Sequence, residues 1–86
     1  MSLPPGPGPL LAGVAAPSVR VFEEYCYRHD LNPRRTHYLH ELRHLRGLRG
    51  RVVLVTGPGF FPPGFIVQLS QMELDGLVQV AEYSLS

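Results

Sequence analysis

The stretch His40-Glu41-Leu42-Arg43-His44 is the part of the chain whose residue types and spacing favour a specific chemistry. On an α-helix, residues four apart lie on the same side, one turn from each other. His40 and His44 could then bind one zinc ion while Glu41 acts as a general base. Such a site would make the chain a zinc hydrolase, provided that the surrounding elements supply the helix and a third zinc ligand.

The third ligand is the weak point of this reading, because a catalytic zinc needs three protein ligands. The stretch through Gly47 resembles the opening of the zinc-peptidase signature His-Glu-x-x-His-x-x-Gly-x-x-His. That signature has its last histidine where this chain has Gly50. The remaining candidates are Glu73 or Asp75 from further along the chain, and His37, which shares the helical face of His40 and His44. We judge the match coincidental and expect no metal site, no catalytic residue and no cofactor.

Length and composition indicate a small globular protein. A domain of 86 residues buries only about 60% of its surface and is marginally stable without a partner, a metal or a disulfide. The single cysteine, Cys26, cannot form an internal disulfide, which favours a reducing compartment. No stretch approaches the roughly 20 apolar residues of a membrane helix. We expect a soluble intracellular protein, cytoplasmic or nuclear, with a mitochondrial location as the alternative.

The first seventeen residues differ from the rest of the chain. They contain five of the nine prolines and three of the nine glycines, and they carry no charged side chain. This composition is typical of a flexible segment. It predicts a disordered Pro/Gly-rich tail over residues 1–17, followed by a single small α+β domain over residues 18–86.

Charge is distributed unevenly along that domain. Residues 20–51 contain eight arginines and four acids, a formal charge of +4, whereas residues 52–86 contain three acids and no base, a formal charge of −3. Guanidinium groups make forked contacts with carboxylates or phosphates. A nucleic-acid-binding module is therefore the alternative function. The residues that would contact phosphate are Arg34, Arg35, Arg43, Arg46, Arg49 and Arg51.

The basic part reads as helical. Ser18 is a favourable N-cap for a helix over residues 19–29, in which Phe22, Cys26 and His29 share one side. Pro33 suits the first turn of a second helix over residues 34–46. The two helices together predict an arginine-rich helical hairpin.

From residue 51 onward the pattern favours strands. Residues 51–56 are a short apolar, β-branched run that predicts a strand buried on both faces. Within residues 65–74, Val67 and Leu69 alternate with Gln68 and Ser70, and the segment predicts a second strand. Asp75-Gly76 is a hairpin signal, after which residues 77–83 form the third strand. The predicted fold class is α+β, with a two-helix hairpin packed on a three-stranded antiparallel meander.

Residues 51–57, Arg-Val-Val-Leu-Val-Thr-Gly, resemble the first strand of a short-chain dehydrogenase. In that family the following turn brings glycines close to a dinucleotide and opens a helix. Here Phe60, Phe61, Pro62 and Pro63 occupy the turn. We therefore expect no nucleotide cofactor.

The same four residues carry the expected function. Two aromatic rings on a proline-stiffened loop lose little entropy on binding and suit insertion into a pocket. We expect a non-enzymatic accessory or adaptor subunit that binds a larger protein partner within an intracellular complex. Phe60, Phe61, Pro62 and Pro63 are the partner-binding residues, and the open edge of the sheet is a second contact by strand addition. Nucleic acid is the alternative partner, and no membrane binding is expected.

Overall fold

The computed structural model of the protein describes residues 11–85 and arranges them as a four-stranded parallel sheet with helices on both faces. The strands are β1 (Leu11–Ala15), β2 (Tyr38–Leu39), β3 (Gly50–Thr56) and β4 (Val78–Ser84), in the spatial order β2-β1-β3-β4. The helices are α1 (Val19–Arg28), the 3₁₀ helix η1 (Leu42–Leu45) and α2 (Phe65–Leu74). None of the helices within residues 11–85 has the length and apolar character needed to cross a bilayer.

The described part of the chain begins with a central strand of the sheet and winds outward in both directions. From β1 it passes through α1 to the edge strand β2, and then through η1 back to the central strand β3. From β3 it continues through α2 to the other edge strand, β4. All three strand pairs are parallel. Because parallel crossovers are right-handed, α1 covers one face of the sheet, and η1 and α2 cover the other.

Each face has its own apolar core, and β3 contributes to both. Val53 and Val55 face α1, whereas Val52 and Leu54 face α2. The expectation that this strand is buried on both faces is confirmed. The core under α1 also contains Val14, Ala16, Val21, Phe22, Tyr25 and Cys26. The core under α2 and η1 also contains Ala15, Leu39, Leu45, Phe65, Leu69, Met72 and Val78.

The predicted antiparallel meander is wrong, because residues 65–74 form α2 instead of a strand. Phe65, Leu69 and Met72 are buried, and their spacing of four and three residues is that of one helical side. Val67, which the alternating pattern assigned to a core face, is exposed. Ten residues of mixed pattern fit both periods, and the buried side of the segment follows the helical one.

The Asp75-Gly76 pair ends α2 and does not form a hairpin turn. Gly76 has a φ of +79°, and the N–H of Leu77 donates to the carbonyl of Met72 at 3.0 Å. This is the usual helix ending with a left-handed residue just beyond the C-cap. The chain then enters β4 parallel to β3, so the orientation predicted for the third strand is wrong although its position, near residues 77–83, agrees with β4.

The predicted second helix over residues 34–46 is also wrong. Its middle forms β2, in which Tyr38 pairs with Val14 and Leu39 pairs with Ala15 of β1. Its end forms the single 3₁₀ turn η1. Leu39 is fully buried between the sheet and the α2 layer. Pairing with a distant strand outweighs the local helical pattern.

β1 comes from the segment that was predicted to be a disordered tail. Residues 1–10 of that segment lie outside the described residues, but residues 11–15 form a central strand. Val14 and Ala15 are completely buried. Gly13 allows β2 to approach, because a Cβ at this position would lie 2.8 Å from the side chain of Leu39. The predicted helix over residues 19–29 and strand over residues 51–56 are found as α1 and β3.

Candidate functional site

The histidine stretch does not lie on an α-helix. His40 follows β2, Glu41 is the N-cap residue of η1, and His44 lies within η1. The expected one-turn spacing of the two imidazoles on a helical face is therefore wrong. The helical geometry of the zinc motif is not formed, although the two imidazole rings still lie edge to face with centroids 4.7 Å apart.

His44 instead stabilises the start of η1. Its Nδ1 atom accepts hydrogen bonds from the backbone N–H groups of His40 and Glu41, both at 3.2 Å. An imidazole nitrogen accepts only when it carries no proton. Burial lowers the pKa of His44, and the neighbouring His40 lowers it further. The imidazole is thus a neutral capping group whose accepting nitrogen is already occupied.

The neighbours of His44 are engaged as well. The His40 ring stacks on Tyr38 with ring centroids 4.1 Å apart, and Arg43 Nε donates to Glu41 Oε1 at 2.7 Å. His37 is exposed ahead of β2. Across residues 11–85, no three His, Cys, Asp or Glu side chains are placed to hold a metal ion. The stretch is therefore described by capping, stacking and one ion pair.

The carboxyl ends of β1 and β3 are the usual ligand site of an open parallel sheet, because the chain reverses its winding there. In this protein the two loops at that edge pack on each other. A Cβ on Gly59 would lie 3.0 Å from the carbonyl oxygen of Pro17, and one on Gly57 would lie 3.0 Å from a methyl group of Val21. Ser18 Oγ donates to the carbonyl of Pro58 at 3.5 Å. Gly57 and Gly59 therefore allow these two loops to pack in direct contact with each other.

The turn ahead of α2 offers few donors to an anion. The strand, turn and helix order that the dehydrogenase resemblance implies is present, since β3 leads through a loop into α2. However, Pro62 and Pro63 have no N–H group, and Gly64 N-caps the helix without a side chain. A dinucleotide phosphate needs free N–H groups at this point.

The four predicted partner-binding residues lie in this loop, but their environments differ. Phe60 is 93% exposed. Phe61 is half-buried and stacks on the fully buried Phe65, with centroids 5.0 Å apart and ring planes 14° from parallel. Pro62 is half-buried and Pro63 is exposed. The loop therefore presents one free ring that is supported by a second, packed ring.

The six candidate arginines do not line a helix, because the helix predicted over residues 34–46 is absent. Two lie in the loop before β2, two lie on η1 or directly after it, and two lie at the start of β3. All six are exposed. Within residues 11–85, only Arg43 among them forms an ion pair. The arginines before β2 are Arg34 and Arg35, those at η1 are Arg43 and Arg46, and those at the start of β3 are Arg49 and Arg51.

The sequence reading missed the outer face of α2, which we define as Val67, Ser70, Gln71 and Leu74. Val67 is 74% exposed and Leu74 is 82% exposed. Glu73 is the only charged residue in the helix. Once residues 65–74 are assigned to a helix, this lack of charge on the side opposite the core is visible in the sequence.

Within residues 11–85, grooves border the helices. One, of about 320 Å³, lies between η1 and α2 and is lined by Leu42, Arg43, Leu45, Arg46 and Gln68. The other, of about 370 Å³, follows α1 and is lined by Ser18, Arg20, Val21, Glu24, Arg28, Pro58 and Leu85.

Comparisons with protein-family models, curated proteins and solved structures give no match to this chain.

Proposed function

We propose that the protein is a non-enzymatic accessory or adaptor subunit that binds a larger protein partner through the loop between β3 and α2. The observation that carries this proposal is Phe60, whose side chain is 93% exposed. Burying such a ring stabilises a complex by about 2 kcal/mol. Buried aromatic anchors also account for much of the binding energy at protein interfaces.

The loop around Phe60 is restrained, which reduces the entropy lost on binding. On one side, Gly59 packs against the backbone of Pro17. On the other side, Phe61 stacks on Phe65, and the rings of Pro62 and Pro63 fix their own φ angles. Phe60 thus extends from a support that is already ordered.

The surroundings of Phe60 define the chemistry of the partner site. Residues 57–72 contain no charged side chain, so the partner should present an apolar pocket. The buried free thiol of Cys26 supports an intracellular complex, because unpaired cysteines are typical of reducing compartments. A cytoplasmic or nuclear location follows from this proposal.

The test compares Phe60→Ala with a matched control, Tyr27→Ala. Tyr27 is an aromatic residue on α1 that is 71% exposed. We expect a stoichiometric partner to co-purify with the wild type and with Tyr27→Ala, and to be lost with Phe60→Ala. With the purified partner, Phe60→Ala should weaken binding at least about tenfold. Both variants should keep their stability within about 0.5 kcal/mol.

The supporting ring provides the second arm of this test. Phe61→Ala removes the stacking on Phe65 and should cost about 1 to 2 kcal/mol of unfolding free energy. If Phe60→Ala keeps the partner, or destabilises the domain as much as Phe61→Ala does, the anchor proposal is wrong. The measurements are pull-down, calorimetric titration and denaturant unfolding.

A second candidate function, nucleic-acid binding, has one observation in its favour. Arg34, Arg35, Arg49 and Arg51 lie at the amino ends of β2 and β3, and none of them forms an ion pair within residues 11–85. We expect only weak binding that falls with salt. Arg49→Ala with Arg51→Ala should lower the slope of log affinity against log salt by about two. Sub-micromolar affinity at physiological salt that this pair abolishes would favour the second candidate over the first.

A further inference from the structure

We infer that the outer face of α2 is a two-fold interface through which two copies of this chain associate. This inference goes beyond the proposed function and does not depend on Phe60. The outer side of a surface helix normally carries polar or charged residues. α2 buries Phe65, Leu69 and Met72 against the sheet, yet it also presents Val67 and Leu74 on the opposite side.

A second copy of the same face can match these two side chains. Val67 and Leu74 are seven residues apart and so lie on the same side of the helix, two turns from each other, and the midpoint of the stretch between them falls between Ser70 and Gln71. An antiparallel pair of α2 helices centred on that midpoint places Val67 of each copy opposite Leu74 of the other. Every contact then occurs twice, as in an isologous interface. The small side chain of Ser70 at the crossing point allows the helices to pack at about 8 Å.

Charge is compatible with this arrangement. The four residues of the outer face are uncharged, so a two-fold axis brings no like charges together. Asp75 lies on the Gln71 side of the helix, because Gln71 Nε2 donates to Asp75 Oδ1 at 3.1 Å. The groove between η1 and α2 lies on the neighbouring Gln68 side and is lined by Arg46.

The two-fold axis of an antiparallel pair runs across the helices, so it leaves both copies of η1 on the same side. Asp75 at the end of one α2 then lies beside the first half of the other α2, where Arg46 lines the groove. Within residues 11–85, Arg46 forms no ion pair. The dimer therefore gains two complementary charge contacts, which fix the antiparallel orientation.

The size of the face sets the expected strength. The ten residues of α2 form a helix about 15 Å long. One side of so short a helix buries less than the about 800 Å² per partner of a typical interface. We therefore expect a reversible dimer with a Kd of about 10 to 100 µM. The contact described above uses no residue of the Phe60 loop, which therefore remains available to its own partner.

Sedimentation equilibrium of the full chain tests the interface. We expect the wild type to dimerise across about 5 to 500 µM, and Val67→Glu or Leu74→Glu to stay monomeric. Both residues are exposed, so neither change should alter the melting temperature measured well below the dimer Kd, where the wild type is also monomeric. Val19→Glu is the matched control, because Val19 is a valine on α1 that is 51% exposed; it should dimerise like the wild type. Phe60→Ala should also dimerise normally, which separates this inference from the proposed function.

Two further variants test the orientation. Asp75→Arg and Arg46→Asp should each weaken the dimer about threefold or more, and the double variant should restore it. A mixture of Val67→Cys and Leu74→Cys chains should form a mixed disulfide, whereas Val67→Cys alone should not. A monomeric wild type, a dimer that survives Val67→Glu, or self-linked Val67→Cys chains would overturn the inference.

Discussion

The two α-helices that cover the sheet have the same length, but their solvent-facing sides differ in charge. Both α1 and α2 span ten residues, and each buries one apolar side. α1 presents charge to the solvent, including an ion pair in which Arg28 Nε donates to Glu24 Oε2 at 3.0 Å. α2 presents Val67 and Leu74. The comparison indicates that the role of a helix in the fold does not determine its outer surface, and that the face without charge is the one suited to association.

The layers also differ in how their helices begin. The N-cap of α1 is Ser18, whose Oγ accepts from the N–H of Val21 at 3.3 Å. In the other layer, Gly64 N-caps α2 with no side-chain hydrogen bond, and the imidazole of His44 stabilises η1. A hydroxyl cap does not titrate near neutral pH, whereas an imidazole does. Of these three helix starts, that of η1 is therefore the one that should respond to mild acid.

The largest effect is expected at His44. Replacing it by alanine leaves the N–H groups of His40 and Glu41 without their acceptor and should cost about 1 to 2 kcal/mol. The pKa of His44 is lowered from its ordinary 6.5, first by burial and then by His40. Its contribution to stability should thus be complete above pH 6.5 and be lost as the pH falls through the lower pKa of the folded state. Urea unfolding across pH 5 to 8 measures this loss.

His44→Asn is the matched control, because an amide oxygen can accept the same two hydrogen bonds without titrating. It should keep most of the stability at pH 8 and show a smaller loss in acid than the wild type. Ser18→Ala should cost about 1 kcal/mol and leave the pH dependence unchanged. If His44→Asn retains the full acid response, another group is responsible for it.

The elements with strong local signals are those that the sequence predicts correctly. α1 has a serine cap and a regular apolar side formed by Phe22 and Cys26. β3 is a run of β-branched residues between glycines. In both cases the local preference agrees with the tertiary structure, and no distant residue is needed to identify the element.

The remaining elements depend on distant partners or on ambiguous local signals. β2 has only two residues and exists because Tyr38 and Leu39 pair with β1. β1 lies in a proline-rich and glycine-rich context that favours a flexible segment. Asp75-Gly76 fits a hairpin turn and a helix ending equally well. In each of these cases the structure that forms depends on pairing with a distant strand. A short sequence pattern contains no information about such pairing.

The candidate site shows the same division. The exposed position of Phe60 follows from its loop, where Pro62 and Pro63 exclude regular structure. The outer face of α2 was missed because it requires the helix to be assigned first. The histidine stretch was read on a helix that the pairing of β2 replaces, so its capping role could not be predicted from spacing.

The last prediction compares the two helix ends, where smaller effects of opposite sign are expected. Both helices end with a left-handed residue, Asp30 after α1 with a φ of +57° and Gly76 after α2 with a φ of +79°. In each case the next N–H donates back into the last turn: Leu31 to Cys26 at 2.8 Å and Leu77 to Met72 at 3.0 Å. The hydrogen bonding is therefore the same, and only the residue at the left-handed position differs.

Gly76→Ala should cost about 1 kcal/mol, because a Cβ is strained in this conformation. Nothing lies within 4 Å of the Cβ that alanine would add, so no clash adds to that cost. Asp30→Gly should stabilise the domain by about 0.5 kcal/mol, since it relieves the same strain and removes a negative charge from the C-terminal end of a helix. Denaturant unfolding of the two variants measures both changes. A destabilising Asp30→Gly would mean that the Asp30 carboxylate stabilises the turn by more than its backbone conformation costs, and the two helix ends would then not be equivalent.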